Sequence, residues 1–138
     1  IGGDAKSVAV VDLNADGIPD LVVTQNSGAL RCLTNQFDED SQFLIRIRLK
    51  GPPGNPTGIG SRIRLKQGGG RIRTREIYGG SGYLGQSSAT VVFALHEPIT
   101  EGNGIEVRWH DGRLSQVKVP AVGSHLIEVP YPGKWPSR

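Results

Sequence analysis

Between Asp12 and Asp20 the oxygen-bearing side chains fall at the first, third, fifth and ninth positions of the segment Asp12-Leu13-Asn14-Ala15-Asp16-Gly17-Ile18-Pro19-Asp20, with Gly17 at the sixth. A hard cation such as Ca2+ takes about six to eight oxygen ligands in flexible geometry. Asp12, Asn14, Asp16 and Asp20 can supply side-chain oxygens, the backbone carbonyl of Ile18 another, and water the rest, so the spacing predicts Ca2+ as the cofactor. Gly17 permits the sharp turn that wraps the chain around an ion. Without a cation the three carboxylates repel one another, and chelation should loosen the loop. The twelfth position of an EF-hand would be a bidentate Glu, but Val23 stands there and the flanks are β-branched, which excludes that motif. A metal-free Asx-rich turn is the competing reading. Four oxygen side chains in this register exceed what a turn requires.

Other chemistry-bearing residues are less organised. His96, His110 and His125 are scattered, none in metal-ligand spacing. Ser81, Ser87 and Ser88 have no evident His-acid pair, and the clustered carboxylates are those assigned to the cation. Cys32, the one cysteine, sits in Ala29-Leu30-Arg31-Cys32-Leu33 and reads as a buried small apolar side chain in a strand. Gly80-x-Gly82-x-x-Gly85 has dinucleotide-fingerprint spacing, but that motif needs a strand leading into a helix, whereas Ser88 to Leu95 continues as β-branched strand. It reads instead as a glycine loop that presents Tyr83 and Gln86, a candidate ligand loop for which a plain corner is the first-ranked reading. No catalytic residue is assigned, and the chain reads as a non-enzyme.

The elements that must position these residues are short strands. Ser7 to Val11, Asp20 to Thr24 and Ala29 to Thr34 are apolar or β-branched runs separated by turn residues. From Phe43 the alternation is clear: Ile45, Ile47 and Leu49 oppose Arg46, Arg48 and Lys50, and Ile63 and Leu65 oppose Arg62, Arg64 and Lys66. Arg71 to Ile77, Ala89 to Leu95, Gly104 to Trp109, Leu114 to Val119 and Ser124 to Val129 follow, with Asp111-Gly112 as a hairpin signal. Gly (20) and Pro (9) are dispersed between apolar runs, as turns would be, and no segment keeps a helical period. The predicted fold is all-β: a short three-stranded blade-like meander over residues 1–36, a linker at 37–42, a β-sandwich or partly open barrel over 43–130, and a tail at 131–138. No apolar run is long enough for a membrane-spanning helix. The chain opens on Ile1 and lacks Met, which reads as a portion of a longer protein.

Net charge is only +3, but arginines crowd into one region. On alternation Arg46, Arg48, Arg62, Arg64, Arg71, Arg73 and Arg75 lie on the polar sides of three strands. A solvated outer face ranks first, a surface for an anionic glycan second, and nucleic acid last because base-stacking aromatics are missing from these strands.

Two resemblances bear on the architecture. Val8-Ala9-Val10-Val11-Asp12-Leu13-Asn14-Ala15-Asp16-Gly17-Ile18-Pro19-Asp20-Leu21-Val22-Val23 resembles one FG-GAP/VCBS-type repeat, a β-propeller blade whose loop binds calcium. Phe43 to about Val129 resembles the ASPIC/UnbV domain. The matching features are Asn55 with Gly58-Ile59-Gly60-Ser61-Arg62-Ile63, Arg75-Glu76-Ile77, Gly79-Gly80-Ser81-Gly82-Tyr83-Leu84-Gly85-Gln86-Ser87, and Val107-Arg108-Trp109-His110-Asp111-Gly112. His110 stands where that family usually has Pro, and Ala94-Leu95-His96 where Gly-Leu-Gly is common. The resemblance implies a structural or adhesive module of a secreted or extracytoplasmic protein, with upstream propeller repeats as its neighbour. One blade alone leaves strand edges that must pair with the second domain or with another copy of the chain. A glycan or protein partner is a further expectation; nucleic acid and a membrane span are not.

Overall fold

The computed structural model describes residues 4–36, 43–95, 97–98, 103–120 and 125–133. The linker expected at 37–42, His96 and residues 134–138 of the expected tail lie outside the described residues. The chain divides into two compact units, Ile1–Asp38 with Gly79–Ser88, and Glu39–Tyr78 with Ala89–Arg138.

In the first unit β1 (Ala5–Val11), β2 (Asp20–Gln25) and β3 (Arg31–Leu33) form an antiparallel meander in the order β1-β2-β3. The β-branched runs read from the sequence are these strands, and the Asp-rich segment is the β1–β2 turn. Cys32 is exposed, not buried as its apolar neighbours suggested, because β3 is the sheet's end strand and all three of its residues face solvent. The outer edge of β1 is met by a segment 77 residues later in the chain. The Ser88 N–H donates to Val10 O at 2.9 Å, and the Val10 N–H donates to Ser87 Oγ at 3.1 Å. The blade edge expected to need a neighbour therefore has one at Val10, supplied by its own chain.

The second unit is a sandwich of two sheets; none closes into a barrel. One sheet has the order β10-β4-β7, from β4 (Phe43–Lys50), β7 (Val91–Leu95) and β10 (His125–Pro130). The other has the order β6-β5-β8-β9, from β5 (Arg62–Lys66), β6 (Ile72–Glu76), β8 (Gly104–Arg108) and β9 (Leu114–Lys118). All neighbours are antiparallel except β10, which runs parallel to β4 with Ile127 opposite Ile47. The alternation in β4, β5 and β8 puts Ile45, Ile47, Ile63, Leu65, Ile105 and Val107 into one shared core. Each is essentially inaccessible to water, and burial of such a side chain stabilises by roughly 1.5–3 kcal/mol.

Trp109 closes the β8–β9 hairpin. Its N–H donates to Arg113 O at 2.9 Å, and Gly112, at φ 87°, donates back to Trp109 O at 2.9 Å. The buried indole Nε1–H donates to Ser115 Oγ at 2.9 Å, and Ser115 Oγ donates to Pro130 O at 2.9 Å, tying β8 and β9 to the end of β10. Tyr131 meets the indole edge to face at 5.2 Å.

Candidate functional site

The β1–β2 turn is built by its own oxygens. Asp12 Oδ2 accepts from Gly17 N at 2.9 Å, closing the loop from first to sixth position, and Gly17 takes φ 87°, which a side chain would resist. Asp16 Oδ1 accepts from Ile18 N at 2.7 Å, and Asn14 Oδ1 accepts from Asp16 N at 3.2 Å. Asn14 Nδ2 donates to Asp16 Oδ2 at 2.7 Å. Asp20 differs: it is 1% exposed, and its two oxygens accept from Leu13 N at 2.9 Å and Asn35 N at 2.8 Å. It fastens the chain after β3 to the turn.

This donor set has the chemistry a hard cation requires. A carboxylate oxygen that accepts one N–H retains a further lone pair, so Asp12 and Asp16 keep coordinating capacity, while Asp20 anchors the loop beneath them. No group of three or more His, Cys, Asp or Glu converges as a metal cluster among the described residues. The turn's oxygens include an amide and a peptide carbonyl, those of Asn14 and Ile18, so its set reaches beyond such groups.

The glycine loop, residues 79–88, is pinned from within. Gln86 Oε1 accepts from Gly80 N and its Nε2 donates to Ser87 O at 3.1 Å, so Gln86 builds the loop. Ser87 N donates to Ser81 Oγ at 2.6 Å, and Ser81 Oγ donates to Ser87 Oγ at 2.9 Å. Tyr83 and Leu84 form the tip; Tyr83 is exposed and Leu84 adopts φ 53°. No helix follows, so the dinucleotide reading fails on geometry.

The seven arginines do not share one face. Arg46 and Arg48 lie on β4, in the three-stranded sheet. Arg62 and Arg64 lie on the solvent face of β5, whereas Arg73 and Arg75 pair with Leu65 and Ile63 and so project from the opposite side of that sheet. Arg73 Nη1 donates to Ala94 O at 2.6 Å, Arg75 stands 5.9 Å from the Phe93 ring centroid, and Arg71 pairs with Glu97 at 3.3 Å. The expected polar side of β6 is thus reversed: Ile72 is outward and 56% exposed. As an edge strand, β6 lets its arginines reach around to β7.

Arg108 joins Arg62 and Arg64 on the solvent face of β8, a residue the arginine-rich stretches did not bring to notice. The inward Ile105 and Val107 were the signal available, since their alternation turns Arg108 outward. Arg62 reaches Glu76 Oε1 on β6 through both Nε and Nη2, and Glu106 accepts Lys66 at 2.7 Å and meets Arg64 at 3.6 Å. The Tyr78 hydroxyl first, and then Arg62, hold the Glu76 carboxyl below the usual range. The Lys66 ammonium does the same for Glu106. Of the histidines, His110 receives a contact from Asn55, and no second histidine comes to it among the described residues.

An antiparallel blade with an oxygen-rich turn, followed by a two-sheet sandwich, defines a propeller-type repeat joined to a β-sandwich domain. Residues 6–31 match the FG-GAP repeat, and residues 51–131 match the ASPIC and UnbV family. The second match covers more than half of the chain, which belongs to the ASPIC/UnbV family. No curated protein matches the chain. No helix among the described residues is long and apolar enough to cross a membrane.

Proposed function

We propose that the chain is a non-enzymatic, calcium-stabilised structural or adhesive module of an extracytoplasmic protein. The observation that carries this reading is the β1–β2 turn, where Asp12, Asn14 and Asp16 are already folded back by Asx hydrogen bonds beneath the Asp12–Gly17 closure. Asp12, Asn14, Asp16 and the Ile18 carbonyl would hold the ion, with Asp20 as ligand or anchor. The ion's role is to neutralise carboxylates that otherwise repel, and extracellular calcium is abundant enough to fill a weak site. Val10, Leu21 and Leu33 lie directly opposite one another across the blade and remain 38%, 39% and 42% exposed. Such a row suits cover by a neighbouring blade, so upstream propeller repeats are the partner proposed for it. Calorimetric titration with CaCl2 and melting curves with calcium or EDTA test the reading. Calcium should raise the melting temperature and Asp12→Ala should abolish the rise; identical curves in calcium and EDTA would refute it.

A second reading, an anionic glycan bound by the arginine-bearing sheet, is favoured by one arrangement on that sheet: Arg62 and Arg108 stand directly opposite each other.

A further inference from the structure

Across the solvent face of the four-stranded sheet, one row reads Glu76, Arg62, Arg108, Leu114 from β6 to β9. Arg62 has Glu76 on one side; on the other it has a second guanidinium. Like charges directly opposite in an antiparallel pair are destabilising. Among the described residues Arg108 has no carboxylate within ion-pair distance, and its other cross-strand neighbour is Leu114. The face as a whole sets Arg62, Arg64, Lys66, Arg108 and Lys118 against Glu76 and Glu106. Part of the surplus positive charge lies where the two arginines meet, opposite each other with one carboxylate between them and the sheet edge.

That meeting point is also concave. Two hollows, of about 380 Å³ and 310 Å³, share Arg62, Arg108 and Gly112 as walls. Gly60, Glu76, Trp109 and His110 complete the first. The His110 ring is oriented from behind: Ile59 N donates to Asn55 Oδ1 at 2.8 Å, which turns Asn55 Nδ2 toward His110 Nδ1 at 3.3 Å. Asn55 Nδ2 is a donor, so the tautomer that makes this contact a hydrogen bond accepts at Nδ1 and carries its proton on Nε2. Two guanidiniums and an imidazole N–H border this hollow as donors, and the Glu76 carboxylate that also lines it is taken by Arg62 and the Tyr78 hydroxyl.

We infer that the cleft between Arg62 and Arg108 binds an oxyanion, a carboxylate or sulfate, of an acidic glycan. The anion relieves the repulsion between the arginines and takes charge-assisted hydrogen bonds from Arg108 and His110, while Arg62 keeps its pairing with Glu76. A sugar fits better than a base: Trp109 at the wall is 2% exposed and offers no stacking face, while Gly60 and Gly112 expose backbone there. The inference rests on the second reading above and is independent of the calcium loop.

The test is calorimetric titration of the 138-residue chain at low salt with a sulfated heparin hexasaccharide and with an oligogalacturonate. Arg108→Gln should weaken binding of at least one of them about tenfold or more, Arg108→Lys less, and Arg48→Gln on the other sheet should leave it unchanged. Equal losses from Arg108→Gln and Arg48→Gln, or none from Arg108→Gln, overturn the site but leave the glycan reading standing. No binding of either oligosaccharide by the unmodified chain overturns both. Single-stranded DNA of matched charge bound as tightly, and lost in parallel on Arg108→Gln, overturns the glycan assignment. Amide shifts at Gly60 and Gly112 on titration of the unmodified chain give a readout that does not depend on any variant folding.

Discussion

The Asp20 carboxylate, buried at the start of β2, accepts the backbone N–H of Asn35 at 2.8 Å across the width of the meander. Its other oxygen takes Leu13 N, so one side chain holds the turn at one end and the chain after β3 at the other. Asp20→Ala should leave both amides without their acceptor and cost about 2 to 4 kcal/mol in the first unit. The loss should persist in EDTA, where a residue serving only as a calcium ligand would have little effect. Hydrogen exchange of the β1 and β2 amides reports it; unchanged protection in EDTA would show that the anchor is dispensable.

Gly58 combines two restrictions. It lies at φ 73°, and a Cβ there would come within 2.7 Å of Leu49 Cδ1 and 3.3 Å of Trp109 Cζ3. Gly58→Ala should destabilise the sandwich by about 2 to 4 kcal/mol. Gly54, at φ 89° with open space around it, isolates the backbone term, so Gly54→Ala should cost less. Denaturant midpoints compare the two, and equal losses would remove packing against Leu49 from the explanation.

Ser115 is the single link between the Trp109 indole and the Pro130 carbonyl. Ser115→Ala strands a buried N–H and should cost about 1 to 3 kcal/mol, whereas Ser115→Thr, which keeps the hydroxyl, should avoid most of that loss. Trp109 fluorescence during urea unfolding follows this directly. A midpoint shift absent in the alanine variant would mean that water substitutes for the hydroxyl.

Acid should weaken the basic sheet. Glu76 and Glu106 titrate below their ordinary value of 4.5, Glu76 chiefly through the Tyr78 hydroxyl and Glu106 chiefly through Lys66. A carboxylate with a depressed folded pKa stabilises above its unfolded pKa, and the contribution is lost as pH falls through the folded value. The loss should therefore begin below about pH 4.5. Lys66→Met should raise the Glu106 midpoint while leaving that of Glu76 in place, as followed by carboxyl NMR; a Glu106 midpoint that stays put would exclude Lys66 as the cause. Tyr78 behaves in the opposite sense: its pKa is raised above 10.0 by Glu76, so its contribution holds below that pH and is lost as pH rises further.

Most strands were legible in the sequence because a half-buried strand carries its own period. Ile63 and Leu65 against Arg62 and Arg64 is a pattern only one face can explain, and Asp111-Gly112 marks its hairpin by chemistry alone. The arginines of β6 were not legible. Ile72 and Arg73 alternate as cleanly as the residues of β5, yet at a sheet edge an Arg can lie inward along its stem and place its head at the rim, so alternation does not say which side is which. Arg108 was overlooked because its partner across the ladder, Arg62, is 46 positions away, and cross-strand opposition is invisible along a chain. The Asp-rich turn was readable as a set of oxygens, but not the separate part taken by Asp20, whose second amide comes from Asn35.

The hydrogen bonds from Ser87 and Ser88 to Val10 also set an order of events during biosynthesis. At about 5 to 20 residues per second, the 77 residues separating Val10 from Ser87 take roughly 4 to 15 seconds to emerge. For that interval the outer edge of β1 lacks the Ser87 and Ser88 contacts it has in the folded chain. The edge is thus closed only after β4, β5 and β6 of the second unit have been made, so completion of the repeat waits on a later part of the chain.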